Sequence, residues 1–350
     1  MQIALKKVIS SEPKKLTSEF NHTLKTTHIN NRRYLGNKYR LLPFIISVVE
    51  KNCNEVNSVA DIFAGTGAVA SAFTDKQIIT NDNLYSNYIC HVAWFSPQEY
   101  SRKKIEELVT YYNDTVVMND NYMSNNFKGT FFSRADCRKI GFIRDDIEAR
   151  FTLREINERE RALLITSLLY AADKIANTCG HYDAFRQGVE FEKHLELSVP
   201  LPADNLNAKN ICYNEDTNEL VKHIFADLVY IDSPYNSRQY CDAYHLLENI
   251  ARWEKPKVSG VARKMVDKFE FWKGTTIGKT SNGQYIYFTV LTDTQIWWDI
   301  DPYYSAAYLR DKFHAFICKA IHSHINLMFD NTLETYSLPI KIIEVEDLTK

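Results

Sequence analysis

The sequence lacks the signatures of several common protein classes. None of its seven cysteines forms a Cys-x-x-Cys pair, and their odd number and wide spacing indicate neither a zinc ribbon nor a disulfide framework. No run of about 18 apolar residues is present, so no membrane-spanning helix is expected. The N-terminus has no apolar stretch of the kind found in signal peptides. We therefore expect a protein of the reducing cytoplasm, without a metal site.

The composition is ordinary for a soluble globular protein, with 45% hydrophobic and 25% charged residues among 350. The net charge of −2 does not by itself indicate a polyanionic partner. Positive charge is concentrated, however: residues 1–40 carry nine Lys and Arg against two acids, and residues 251–280 carry eight against three. Two basic zones on a neutral body favour a local phosphate-contacting surface, although a plain solvated surface explains either zone alone.

The order of predicted elements indicates an α/β fold. Residues 56–63 are typical of a buried strand, a glycine-containing turn and a short helix follow, and residues 77–81 predict a second strand. Strand patterns return at 210–213 and 227–231, whereas the stretch 91–200 is dominated by amphipathic helical patterns. This pattern predicts a Rossmann-like parallel sheet that is interrupted by a helical insertion.

A glycine-rich turn at residues 61–67, Asp-Ile-Phe-Ala-Gly-Thr-Gly, is the first candidate site. Glycines at a strand-to-helix turn let the backbone approach a ligand closely. The spacing Gly65-x-Gly67-x-x-Ala70 also satisfies the dinucleotide fingerprint in its Gly/Ala form. No Gly-Lys-Ser/Thr follows, which argues against a P-loop. A purely structural turn would have the same sequence pattern.

Two acids follow later strands, where a nucleoside could be bound. Asp82 lies about 20 residues after Asp61, the spacing of an acid that accepts hydrogen bonds from ribose hydroxyls. Asp216 follows the strand pattern at 210–213 and could accept a hydrogen bond from an adenine amino group. Each has a plain alternative: Asn81-Asp82 is a common turn pair, and Asp216 could cap the next helix.

A short loop at residues 34–38, Tyr-Leu-Gly-Asn-Lys, precedes the first predicted helix. Gly36 would allow close approach of the backbone to a ligand. By itself, an ordinary connecting loop explains the same residues.

The segment Asp232-Ser233-Pro234-Tyr235 follows the apolar run 228–231. Asp232 is an acceptor for an amino hydrogen, and Pro234 biases Ser233 toward an extended conformation that presents its carbonyl as a second acceptor. Tyr235 offers a ring face for stacking. Together these groups could hold a planar, amino-bearing ring at the carboxyl end of a strand, where open α/β sheets bind ligands.

In this order, the five features resemble the alpha-class adenine-N6 DNA methyltransferases of type II restriction–modification systems. The resemblance covers roughly residues 30–255 and includes Tyr244-His245-Leu246-Leu247-Glu248-Asn249. Ser233 departs from it, because the usual residue there is proline, but the backbone carbonyl is retained. The resemblance implies a catalytic domain of residues 30–90 and 201–350, an N-terminal arm of residues 1–29, and a target-recognition insertion at 91–200.

The resemblance also implies a role for each site residue. S-adenosylmethionine is the expected cofactor, and double-stranded DNA is the expected partner, with a restriction endonuclease as functional counterpart. The expected catalytic residues are Asp232, Ser233, Pro234 and Tyr235. The expected cofactor-binding residues are Tyr34, Gly36, Asn37, Lys38, Asp61, Phe63, Gly65, Gly67, Asp82 and Asp216.

Three other functions remain open at this point. The same tetrapeptide could hold a planar amino group of RNA or of a protein amide. The turn at Gly65 and Gly67 alone would also fit an NAD-dependent oxidoreductase, which leaves residues 232–235 unexplained. A non-catalytic DNA-binding partner subunit is the third alternative.

Overall fold

The computed structural model describes residues 24–53, 55–178, 180–204, 206–232 and 240–266. It also describes the backbone of three short strands, β9 (Thr289–Leu291), β10 (Gln295–Trp297) and β11 (Lys341–Ile342). Most of the predicted N-terminal arm, residues 1–23, lies outside the described residues. Ser233, Pro234 and Tyr235 of the predicted catalytic segment lie outside them as well.

A parallel sheet of four strands organises the molecule. Its strands are β2 (Ser58–Asp61), β3 (Gln77–Asn81), β5 (Ile211–Tyr213) and β6 (Leu228–Tyr230). They run in the order β5-β3-β2-β6, and every neighbouring pair is parallel. This confirms the predicted α/β class with a Rossmann-like sheet.

Alternation of apolar side chains fixes the register of the sheet. Val59 lies beside Ile78 and Leu228 in the neighbouring strands. The next row, formed by Ala60, Ile79 and Val229, points to the opposite face. All six side chains are buried. Because both faces are covered, apolar residues occupy consecutive positions in the middle of these strands, and polar residues stand mainly at the strand ends.

Helices cover both faces of the sheet and form a layer beside it. The α-helices are α1 (Leu42–Asn52), α2 (Tyr85–Phe95), α3 (Arg102–Asp114), α4 (Tyr122–Phe127), α5 (Arg134–Thr152), α6 (Glu158–Ile175), α7 (Thr217–Leu220), α8 (Tyr240–Ala243) and α9 (His245–Arg252). Short 3-10 helices occupy Ile29–Asn31, Tyr39–Leu41 and Ala70–Phe73. Helix α1 packs on the Val59 face, and α7 packs on the Ala60 face.

The remaining short strands form three small sheets. In these, β1 (Thr26–Thr27) pairs in parallel with β4 (Val199–Pro200), and β7 (Val258–Ser259) pairs antiparallel with β8 (Lys264–Met265). Strand β10 lies between β9 and β11. Cα atoms of β9 come within 8 Å of those of β6.

The apolar periodicity of residues 153–179 predicts one long helix. The observed helix, α6, is shorter than this. Helix α6 begins at Glu158, because Asn157 caps it: the Asn157 side chain accepts the Glu160 amide, and the Glu160 side chain accepts the Asn157 amide. Arg154 has a φ of 59° in the preceding turn, which separates α5 from α6. A turn followed by the single helix α6 therefore stands where one long helix was expected.

Helices of the region 91–200 share one continuous hydrophobic core with α2 and α9. Arg144 of α5 is buried there, and its guanidinium donates to the carbonyl oxygens of Ile250 (2.7 Å) and Ala251 (3.2 Å) at the end of α9. This contact satisfies carbonyls that a helix end would otherwise leave unpaired. The division of the chain into a catalytic domain and an insertion stays a prediction.

Glu248 joins α9 to the start of α2. Its buried carboxylate accepts the backbone amides of Tyr85 (2.9 Å) and Ser86 (2.8 Å), and it pairs with Arg252 Nε at 2.7 Å. A carboxylate at a helix N-terminus satisfies unpaired amides and opposes the positive end of the helix dipole. Among the described residues, the structure has no helix long and apolar enough to cross a membrane.

We expect Glu248→Ala to lower the free energy of unfolding by about 3 kcal/mol, because two amides and the Arg252 guanidinium lose a buried partner. Urea denaturation would measure the change. Glu107→Ala is the matched control: Glu107 is a helical glutamate whose pair with Lys103 is largely exposed, so a loss under about 0.5 kcal/mol is expected. Equal losses in the two variants would contradict the assigned role of Glu248.

Candidate active site

The carboxyl edge of the parallel sheet brings together acids that are far apart in sequence. Asp61 ends β2, and Asp232 lies two residues beyond the end of β6, the strand next to β2. The chain continues from β2 to β3 on one side, whereas β6 lies on the other, so a crevice opens at this switch point. Lys38, from the loop before α1, reaches this crevice and places Nζ 2.5 Å from Asp232 Oδ2.

The turn after β2 requires its glycines. Gly65 and Gly67 have φ values of 54° and 80°, in the left-handed region that favours glycine. A Cβ added at Gly67 would lie 2.9 Å from Phe95 Cε2, and one at Gly65 would lie 3.0 Å from Tyr34 Cε1. The two glycines therefore allow both the backbone conformation and the close packing of aromatic rings around the turn.

Asp82 ties this turn to the next strand. Its Oδ2 accepts the Gly65 amide at 2.9 Å, and its Oδ1 accepts the Leu84 amide at 2.8 Å. Burial raises the pKa of Asp82 to about 6, although the hydrogen bonds from Leu84, Asn87 and Gly65 oppose that rise. A carboxylate has about four acceptor sites and three donors already use Asp82, so one site remains for a ligand hydroxyl.

Asp61 is the most deeply buried acid of the crevice. Its side chain lies on the α1 face of the sheet, the residue is 1% exposed, and Oδ1 has no hydrogen-bond partner among the described residues. Burial and the nearby charge of Asp232 raise the pKa of Asp61 to about 8. An unsatisfied buried carboxyl oxygen costs free energy, which a donor from a ligand would recover.

The loop at residues 34–38 is held against the turn by aromatic contacts. The Tyr34 ring stacks on Tyr244 with centroids 4.7 Å apart, and the Tyr34 hydroxyl accepts from Asn87 Nδ2 at 3.0 Å. The Leu35 amide donates to the Tyr244 hydroxyl at 2.7 Å. Gly36, with φ of 77°, reverses the chain so that Lys38 turns toward the crevice.

The other predicted cofactor residues have varied surroundings. Asn37 accepts the Tyr39 amide at 2.9 Å and so stabilises the turn into the 3-10 helix. Phe63 is half-buried and packs with the cluster beneath α7. Asp216 is exposed just before α7, and its loop is held at the edge because Asn214 Nδ2 donates to the Asp82 carbonyl at 2.6 Å.

Ser233, Pro234 and Tyr235 lie outside the described residues. The structure therefore leaves their roles as predictions. It describes both ends of the segment: Asp232 at the crevice, and Tyr240 at the start of α8, where its ring centroid lies 5.6 Å from that of Tyr34.

Sequence reasoning missed several buried groups that support the site. His91 Nε2 lies 2.9 Å from the Gly65 carbonyl, and burial lowers the pKa of His91 to about 4, so the ring is neutral and donates from Nε2. Asn87 and His91 are four residues apart on α2, which places both toward the turn. Two polar residues at that spacing in an otherwise apolar helix were the available signal.

Comparison with known proteins agrees with this geometry. A model of the D12 class N6 adenine-specific DNA methyltransferase family matches residues 34–287. The chain is 37% identical over 251 residues to the modification methylase StsI of Streptococcus sanguinis, covering 66% of this chain and 38% of that protein. It is 34% identical over 255 residues to the modification methylase LlaI of Lactococcus lactis subsp. lactis, covering 67% and 41%.

A shorter relative is covered more completely. The type II methyltransferase M.NlaIII of Neisseria lactamica is 31% identical over 234 residues, which cover 63% of this chain and 69% of that protein. The chain spans about two fifths of the length of StsI and LlaI. The family match, by contrast, includes most of the chain, with the loop at 34–38, the glycine turn, Asp82 and the Asp232 segment all inside it. By this match, the chain belongs to the D12 class of N6 adenine-specific DNA methyltransferases.

Proposed function

We propose that this protein transfers a methyl group from S-adenosylmethionine to N6 of adenine at a specific sequence in double-stranded DNA. The observation that carries the proposal is the position of Asp232, beyond β6 at the switch point, beside the loop residue Lys38 and next to Asp61. An amino-group acceptor thus lies beside a glycine turn and a strand-end acid suited to a nucleoside. The tetrapeptide that begins with Asp232 would add the Ser233 carbonyl as a second hydrogen-bond acceptor and the Tyr235 ring as a stacking surface.

The residues present fit S-adenosylmethionine. Asp82 retains acceptor capacity for a ribose hydroxyl, and the glycine turn lies directly beside it. The unsatisfied Oδ1 of Asp61 suits the ammonium of the methionine part, and the cation of Lys38 suits its carboxylate. Asp216 would accept from the adenine amino group of the cofactor. When bound, the cofactor supplies a methyl group on a sulfonium, which is already a good electrophile.

The protein's contribution to methyl transfer would be the capture and orientation of the target amine. Adenine in a duplex cannot reach this crevice unless it is flipped out, which costs a few kcal/mol. Stacking on Tyr235 would recover about 1–3 kcal/mol. Hydrogen bonds from the amine to Asp232 and to the Ser233 carbonyl would favour a pyramidal, nucleophilic nitrogen. In-line positioning of that nitrogen would then provide most of the rate.

DNA would be contacted by the basic zone after α9 and by the helical layer. In the part of the chain that the structure describes, Lys257 and Arg263 are exposed at the β7–β8 hairpin. Lys264 anchors the hairpin by its ion pair with Asp183 at 2.7 Å.

We propose the region 91–200 as the target-recognition part. The names of the relatives support a role as the cytoplasmic modification enzyme of a restriction–modification system, paired with an endonuclease.

Sequencing that detects N6-methyladenine would test this function directly. DNA from cells that express the protein, in a host without adenine methylation, is expected to carry the mark in one sequence context. That result would give the base and the recognition site together. Unmarked DNA, with methylation of RNA or of protein amides instead, would contradict the proposal.

Asp232→Asn is expected to lower kcat for DNA methylation by about 100-fold or more. The reason is that the negative charge that stabilises the positive charge developing on the target nitrogen is lost. Transfer of tritiated methyl groups to a duplex with the recognised site would measure it. Asp75→Asn is the matched control, since Asp75 lies in an exposed turn away from the crevice. Undiminished transfer by the Asp232 variant would rule out its assigned role.

Asp61→Asn is expected to flatten the pH dependence of stability and to weaken cofactor binding. The pKa of Asp61 is raised to about 8 in the folded protein, so the folded state binds more protons than the unfolded state above pH 4. The contribution of this group therefore falls as the pH rises from 4 to 8, on the order of 1 kcal/mol per pKa unit, and then stays constant.

Thermal melting at pH 5 and pH 9 would measure the first effect, and calorimetry with S-adenosylhomocysteine the second. The variant should gain stability relative to the wild type at pH 9 more than at pH 5. Tighter binding of S-adenosylhomocysteine by the variant would argue against Asp61 as the acceptor of the methionine ammonium.

A further inference from the structure

The ion pair between Lys38 and Asp232 occupies the position that the proposed reaction assigns to the substrate. Lys38 Nζ is 2.5 Å from Asp232 Oδ2 and 3.0 Å from the carbonyl oxygen of Gly36. The two side chains are only 12% and 20% exposed, so the pair is sheltered from bulk water. This contact joins the loop at residues 34–38 to Asp232, the first residue of the predicted catalytic tetrapeptide.

An ammonium and an aromatic amino group are both nitrogen donors to the same kind of acceptor. Lys38 Nζ is at hydrogen-bonding distance from Asp232 Oδ2, where a target amine would also place its nitrogen. The carboxylate has a second oxygen, but an amine directed at Oδ2 would have to displace the lysine ammonium. The lysine ammonium in this structure therefore occupies the position that we assign to the amine of the flipped base.

The charge balance also requires the lysine to move before methyl transfer. Methyl transfer carries positive charge from the sulfonium to the target nitrogen, and a bare Asp232 carboxylate would stabilise that charge. With Lys38 attached, the pair is neutral and its cation faces the same space. Electrostatic stabilisation is most effective when a lone opposite charge is directed at the developing one.

Another carboxyl group lies beside Lys38 in the crevice, and the cofactor would add a carboxylate there. Asp61 is buried beside both groups, and the charges of Lys38 and Asp232 each influence its ionisation. The carboxylate of the methionine part would add a second anion next to the loop at residues 34–38. A cation shared among several carboxylates can change partner without being returned to water, which keeps the cost of release low.

We propose that the ion pair with Lys38 blocks Asp232 until the cofactor occupies the crevice. Binding of the flipped base to Asp232 would then depend on prior cofactor binding. This inference rests on the proposed function and adds an order of binding to it. Lys38 is thus a positioning residue that acts through Asp232. Its two states differ by which carboxylate the ammonium contacts, and a ligand that favours one of them shifts the balance.

Fluorescence of 2-aminopurine, placed at the adenine that sequencing identifies, would report base flipping. In the wild type, saturating S-adenosylhomocysteine should raise the flipping signal by about fivefold or more, whereas saturating 5′-methylthioadenosine should not. The second compound keeps the adenosine and the sulfur but lacks the carboxylate and the ammonium. A signal equally high without any ligand, or equally raised by both compounds, would overturn the inference.

Lys38→Met removes the cation with little change of side-chain length, and its flipping signal should be high without ligand. Lys38→Arg retains a cation for Asp232, so its signal should still require S-adenosylhomocysteine. A Lys38→Met protein that still requires S-adenosylhomocysteine would also overturn the inference. The wild-type comparison needs no variant, so a folding defect in Lys38→Met leaves the test intact. DNA left unmethylated by the wild type would instead contradict the proposed function.

Discussion

The parallel register of β2 between β3 and β6 is the constraint on which the rest of the site depends. It aligns the carboxyl ends of three strands, so that Asp61, Asp82 and Asp232 reach one edge although up to 171 positions separate them in sequence. A shift of one residue would exchange the two faces of a strand and move Asp61 away from the crevice. The buried rows on both faces prevent such a shift, because apolar side chains would otherwise meet the wrong helices.

Much of this arrangement could be predicted from the sequence because it is local or periodic. Strand β3 was predicted with its observed bounds, and the turn at Gly65 and Gly67 has the positive φ values that glycine favours. The crevice lies where the order of the strands reverses, so its position follows from the strand order. The resemblance to adenine methyltransferases is confirmed by the family match over residues 34–287.

The rest depends on contacts that no local pattern encodes. In helix α5 the buried face contains Cys137, Ile140, Ile143 and Ile147, but it also contains Arg144, which is buried against the end of α9, so a charged residue occupies a core position. The boundary of α6 depends on a side-chain cap at Asn157 within a longer periodic stretch. The pairing of Lys38 with Asp232 likewise joins residues 194 positions apart, and each had been assigned to a different ligand.

The hydrogen bond between the Leu35 amide and the Tyr244 hydroxyl has a consequence for the order in which the crevice is assembled. The two residues are 209 positions apart, and the ring of the same tyrosine supports Tyr34. Contacts of such high sequence separation form late in folding, because a long loop must close first. During synthesis, the loop at 34–38 leaves the ribosome long before Tyr244 does. The crevice is therefore completed only when most of the family-matched region has been made, so the loop at residues 34–38 gains this support only after residue 244 has been synthesised.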